Sequence, residues 1–161
     1  DKVGFGNLSQ RLALPKNSFL ITGTQTGRFP HLKREHYTRV VSCDLQRNSV
    51  QAEGPIAPSS ESLTHYAIYE QQPQIGAIFH AHHKELWELL IRQGAPFVDE
   101  SVAYGTKEMA DASNKAINGA SEGYFVMKGH EDGLVTYGPT PEVAGKLMLK
   151  LYRELGPATE L

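Results

Sequence analysis

Ile75-Gly76-Ala77-Ile78-Phe79-His80-Ala81-His82 is the stretch on which the fold turns. Its first residues are apolar and β-prone, as a buried strand requires. On an extended strand, residues two apart point to one face, so the rings of His80 and His82 can both reach a single ion. Pro58-Ser59-Ser60-Glu61 lies upstream and Gly129-His130 downstream. Together these offer three imidazoles and a carboxylate, a donor set suited to zinc or another divalent transition metal. Three protein ligands with an open fourth position describe a catalytic site rather than a structural one. Cys43 is the only cysteine, which excludes a thiolate-rich zinc cluster. His83 is left out of the set, because three successive rings cannot all turn to one ion on extended backbone. Taken singly, any of the 7 histidines reads as an ordinary surface residue.

Working outward, Gly54-Pro55-Ile56-Ala57-Pro58 breaks regular structure, and Ser59 or Ser60 is placed to cap a helix running to residue 71. Ser59, Ser60 and Glu61 then stand at a helix N-terminus, where free amides and the dipole favour an anion. Tyr66, Ile68 and Tyr69 read as core-facing, while His65 could face either way. Downstream, residues 85–93 form a helix with Leu86, Leu89 and Leu90 at core spacing and Gly94 as stop signal. Trp87 reads as packing. Thr106 caps a helix over 107–118, residues 123–127 form a buried strand, and residues 134–137 the last strand. Thr140-Pro141 opens a final helix to residue 155, with Val143, Leu147, Leu151 and Leu155 on its apolar side. Upstream, strands are expected at 8–12, 18–22, 39–44 and 50–53, with a helical turn at 32–37. Residues 96–104 read as a plain connection. The alternation predicts one α/β domain over 1–161: a single three-layer α/β/α unit around a mixed central β-sheet.

The chain has 161 residues, 40% of them hydrophobic and 21% charged, enough for one sizeable core. A net charge of −2 gives no reason to expect nucleic acid or an anionic membrane as partner. No apolar run approaches the ~20 residues of a membrane span, and one cysteine fits a reducing compartment, hence a cytoplasmic location. Gly6-Asn7 reads locally as a turn dipeptide. The Gly/Thr run up to Gly27 lacks the Gly-Lys-Ser/Thr of a P-loop but can form an anion-binding nest.

The ordered set Gly6-Asn7-Leu8-Ser9, Ile21-Thr22-Gly23-Thr24-Gln25-Thr26-Gly27, Pro58-Ser59-Ser60-Glu61, His80-Ala81-His82, Gly105-Thr106-Lys107-Glu108 and Gly129-His130 resembles the class II (metal-dependent) aldolase/adducin family, in its fuculose-phosphate-aldolase-like branch. The likeness covers almost the whole chain. It implies a zinc-dependent lyase cleaving a small sugar phosphate or related hydroxycarbonyl compound through a metal-stabilised enediolate. His80, His82 and His130 would be the ligands and Glu61 the general acid/base. Gly6, Asn7, Thr26, Gly27, Ser59 and Ser60 would hold a phosphate or similar polar end. The resemblance also implies a cyclic homotetramer with its site at a subunit boundary, and a further amino-terminal helix before the Gly-Asn motif. Epimerase or dehydratase chemistry would use the same ligands, and an adducin-like interaction module would need none of them. Two departures stand out. Lys128-Gly129-His130-Glu131-Asp132-Gly133 replaces the family's Asn-His-Gly, and the family's catalytic tyrosine cannot be carried onto Tyr104.

Overall fold

The computed structural model describes residues 5–102 and 106–155. The chain's first strands form a meander: β1 (Asn7–Arg11), β2 (Phe19–Thr22), β3 (Tyr37–Asp44) and β4 (Ser49–Glu53), each antiparallel to the one before. Local chemistry makes the β3–β4 turn. Asp44 Oδ1 accepts from the backbone N–H groups of Gln46 and Arg47, and Asn48 takes the left-handed conformation with φ 51°. Helix α1 (Ser62–Gln71) then carries the chain to β5 (Ala77–His82), which pairs with the free edge of β1.

After α2 (Lys84–Arg92) come β6 (Phe97–Val98), α3 (Lys107–Ile117), β7 (Gly123–Met127), β8 (Gly133–Gly138) and α4 (Pro141–Leu155). Among the described residues the strands form one eight-stranded sheet of order β4-β3-β2-β1-β5-β8-β7-β6. Only β6 and β7 run parallel, because α3 returns the chain between them, so the sheet is mixed as expected. β6 is the element that the sequence reading missed. Two residues beside Pro96 carry no periodicity, and their pairing with β7 is decided by the sheet.

The helices lie on both faces, and the pleat sends neighbouring residues to two cores. Phe125 and Val135 join Phe19, Ile21, Ile68, Tyr69 and Ile78 under α1 and α3. Val126 and Leu134, next to them in sequence, join Leu86, Leu90 and Leu151 under α2 and α4. This is the three-layer α/β/α arrangement. Helix α1 is covered by both sheet and α3, so nearly every side is buried, including the polar Ser62, Thr64 and His65. That explains why its sequence shows no clean amphipathic stripe.

The caps follow the sequence with one correction. Thr106 accepts from the Met109 N–H at the start of α3, and Thr140 from Val143 at the start of α4. At α1 the N-cap is Glu61, not Ser59 or Ser60, and its side chain makes no capping bond. The serines form the preceding turn instead, in which Ser59 Oγ accepts from the Glu61 N–H and the Ser59 carbonyl from Ser62. The carboxylate is thereby released to point into the site. Among the described residues no helix is long and apolar enough to cross a membrane. Tyr104 lies outside the described residues.

Candidate metal centre

The β1–β5 ladder sets Asn7 directly opposite His80, and the β5–β8 ladder sets Val135 on its other side. Ile78, His80 and His82 alternate along β5 on the face covered by α1, so the strand's core side becomes its site side at its carboxyl end. His130 arrives from the turn between β7 and β8, one strand away in the sheet. One ring nitrogen from each of His80, His82 and His130 falls within 4.8 Å of the others. Two glycines make this crowding possible. A Cβ on Gly133, which pairs with His82, would stand 3.2 Å from His80 Cε1 and 2.8 Å from the His130 carbonyl. Gly6, at φ +110°, lets the chain enter β1 where a Cβ would meet the His80 carbonyl at 2.8 Å.

The hydrogen bonds define which nitrogens face inward. His80 Nδ1 lies 3.1 Å from the Leu134 carbonyl and His82 Nδ1 3.1 Å from the Glu131 carbonyl. A carbonyl oxygen only accepts, so both Nδ1 atoms carry the proton, and in neutral rings both Nε2 atoms present lone pairs. Those two Nε2 atoms are 2.9 Å apart. Two acceptors so close repel unless a proton or a cation lies between them. Burial favours the neutral ring in both. It pushes His80 down to about 4 against the opposing pull of Glu61, and His82 downward with help from His130. Neutral imidazoles anchored through the other nitrogen on backbone carbonyls are what a divalent transition metal requires. The residues fit such an ion.

Glu61 closes the arrangement. Its Oε2 accepts from Asn7 Nδ2 at 2.9 Å, while Oε1 lies 3.2 Å from His130 Nδ1 and 3.4 Å from His80 Nε2. Burial alone would raise its pKa, but His80, the hydrogen bonds from His130 and Asn7, and His65 together hold it well below the usual carboxylate range. It is therefore ionised at neutral pH.

A cleft of about 190 Å³ opens onto this group, lined also by Phe5, Gly6, Gly23, Thr24, Gln25, Ser59 and Ser60. Gly6, Asn7, Ser59, Ser60, Glu61 and the histidines are thus brought together. Thr26 and Gly27 line an adjoining cleft of about 300 Å³, which shares Phe5, Gly6, Asn7 and His80 with the first. Thr26 itself is buried, with its hydroxyl donating to the Gly23 carbonyl at 2.8 Å. Gly23, Thr24 and Gln25 face the histidines instead, and their place in the same Gly/Thr run was the available signal. Phe5, whose ring lies 5.4 Å from that of His82, carried no sequence signal. His83 turns away to accept from the Leu86 N–H at the start of α2, and Trp87 packs with its indole donating to the Met127 carbonyl.

The fold is similar to solved structures at low sequence identity. A sugar-phosphate aldolase from Thermotoga maritima matches with a TM-score of 0.71 and 18% identity, covering 93% of this chain and 82% of that one. An L-fuculose 1-phosphate aldolase matches at 0.68 and 23%, covering 94% and 76%. A protein from Escherichia coli, named for three alternative reactions as an aldolase/epimerase/decarboxylase, matches at 0.65 and 21%, covering 93% and 75%. Among curated proteins, none matches the chain in sequence. The family model for the Class II Aldolase and Adducin N-terminal domain matches residues 1–154, and the chain therefore belongs to the class II aldolase and adducin family.

Proposed function

We propose that the chain is a zinc-dependent aldolase that cleaves a small sugar phosphate or related hydroxycarbonyl compound by a retro-aldol reaction. The observation that carries the reading is the pair of neutral, inward-facing Nε2 atoms of His80 and His82, joined by His130 and faced by an ionised Glu61. His80, His82 and His130 would hold the ion. When bound, it supplies Lewis-acid stabilisation of charge on the substrate's carbonyl and neighbouring hydroxyl oxygens. Glu61 would take the proton of the substrate's β-hydroxyl as the bond between the α and β carbons breaks and an aldehyde is released, and would return it to the α carbon. Asn7 holds Oε2, and Oε1, which faces the His130 and His80 rings, is the working oxygen. Gly6, Asn7, Ser59 and Ser60 in one cleft, and Thr26 and Gly27 in the other, would bind the polar end of the substrate through neutral donors. The narrow histidine cleft suits a small compound. By family resemblance the reading includes a cytoplasmic homotetramer.

The test is a panel of sugar phosphates led by L-fuculose 1-phosphate, assayed with zinc, after chelation, and after zinc is restored. Release of an aldehyde only in the zinc-loaded samples is the expected result. Inversion at carbon or loss of water without cleavage would replace the lyase reading with epimerase or dehydratase chemistry. A protein that carries a full equivalent of zinc and turns over nothing would overturn both.

A further inference from the structure

Beneath the proposed site, β1 and α1 are joined by a polar ladder of which the chemistry above uses only the first rung. Along β1, Asn7, Ser9 and Arg11 occur at every second residue; along α1 and its cap, Glu61, His65 and Tyr69 occur at every fourth. A strand advances roughly 6.6 Å over two residues and a helix roughly 6.0 Å over four, so the two series stay in step for a few rungs. In the first rung Asn7 Nδ2 donates to Glu61 Oε2 at 2.9 Å. In the second, Ser9 Oγ lies 2.7 Å from both His65 Nδ1 and the Tyr69 hydroxyl. In the third, Arg11 Nη2 donates to the Tyr69 carbonyl at 2.7 Å, with the guanidinium 4.6 Å above the Tyr69 ring. Ser9, His65 and Tyr69 are 3%, 2% and 0% exposed, so water does not compete for the middle rung.

The ladder runs beside β5. The register that sets Asn7 opposite His80 sets Ser9 opposite Ile78. Any axial slip of α1 along β1 would therefore carry the Glu61 carboxylate away from the histidines. Glu61 has no capping bond of its own to resist such a slip. We propose that Ser9, His65 and Tyr69 are positioning residues that hold α1 in register with β1 and so keep the Glu61 carboxylate against His80 and His130. The inference deepens the proposed function and rests on Glu61 being the proton-transfer group.

The experiment compares zinc-loaded Ser9→Ala, Ser9→Thr and Asn114→Ala with the parent. Asn114 is the control, since it ties α3 to α1 through the Ala67 carbonyl and lies outside the ladder. The first readout is the NMR signal of the Asn7 side-chain amide, which reports its bond to Glu61 without any substrate. The second is kcat and KM on L-fuculose 1-phosphate, or on the panel member cleaved fastest. In Ser9→Ala the amide should lose its protection from exchange. Its kcat should fall roughly 10- to 100-fold, the scale of an ångström's misplacement, with KM within about twofold. Ser9→Thr should restore both readouts, and Asn114→Ala should keep the parent kcat even where it melts earlier. Parent-like amide signal and kcat in Ser9→Ala would overturn the inference, as would an equal kcat loss in Asn114→Ala. If the parent turns over nothing on the panel, the role of Glu61 fails separately, and the amide signal alone decides whether the ladder holds the carboxylate.

Discussion

Glu61 is buried and ionised, with its Oε2 held by the Asn7 amide donor and its Oε1 against the His130 ring, so the charge is stabilised by fixed partners rather than by water. Removing the charge while keeping the shape separates chemistry from binding. Glu61→Gln is expected to retain zinc and substrate binding while kcat falls by about 10²–10⁴-fold, the usual reach of general acid–base catalysis, as steady-state kinetics would measure. Near-parent turnover would move the proton transfer to another group. His82 has a different task. It is half-buried at the cleft mouth, and its ring is oriented by the Glu131 carbonyl, so His82→Ala deletes one inward lone pair without hollowing the core. That variant should lose most of its bound zinc with an unchanged circular dichroism spectrum. A full equivalent of metal by elemental analysis would exclude His82 from the ligand set.

Helix α1 has no amphipathic stripe, and specific polar contacts hold it alongside its packing into the core. Arg11 anchors its far end. The guanidinium donates to the carbonyls of Tyr69, Gln72 and Ile75, acceptors at and just beyond the helix C-terminus that have no helical donor of their own. Arg11→Ala removes this donor from the Tyr69 and Ile75 carbonyls, while Gln72 keeps the Ile75 N–H, and it removes the cation over the Tyr69 ring. Hydrogen bonds to a charged donor are worth roughly 1.5–3 kcal/mol, so a loss of about 2–3 kcal/mol is expected. That corresponds to a drop of about 4–12 °C in melting temperature for a domain of this size. A melting temperature within about 1 °C of the parent would mean that solvent replaces Arg11 without loss.

For the whole molecule, folding, metal and proton binding are linked. An ion that binds only the folded chain adds about 2.7 kcal/mol when present at a hundred times its Kd. Chelation should therefore lower the melting temperature by roughly 5–11 °C in calorimetry, and His82→Ala should show little of that response. Protons act in the opposite direction to the metal, because they bind the unfolded chain more readily. Burial, with His80 adding to it and Glu61 opposing, depresses His65 from 6.5 to about 4 in the folded chain. Between those values the unfolded chain binds more protons, so the stability this group contributes is complete above pH 6.5 and is lost as pH falls through about 4. The metal-free protein should thus lose melting temperature steadily from pH 6.5 downward, and His65→Gln should flatten that slope. Equal slopes in parent and variant would show that His65 does not carry the effect.

Much of this molecule was legible in local chemistry. The two-residue period of β5 placed His80 and His82 on one face, and hydroxyl caps at Thr106 and Thr140 opened α3 and α4 where expected. These features need only residues a few positions apart, and short-range sterics and hydrogen bonding act at that range. Other features depended on partners distant in the chain. Glu61 displaced the serines as the α1 cap because its carboxylate has better partners in Asn7 and the histidines than in its own helix. Gly23, Thr24 and Gln25 face the histidine cleft while Thr26 turns inward, since the bond from Thr26 to Gly23 tightens that turn. His65 could face either way on sequence alone, and partners brought across from other strands, Ser9 56 positions away and Phe19, hold it in the interior. β6 exists because β7 offers an edge to it. The sequence by itself determined the elements other than β6 and the grouping of His80 and His82 along β5. The tertiary structure alone decided how α1 seats on β1, because that register arises from contacts which no local window of sequence contains.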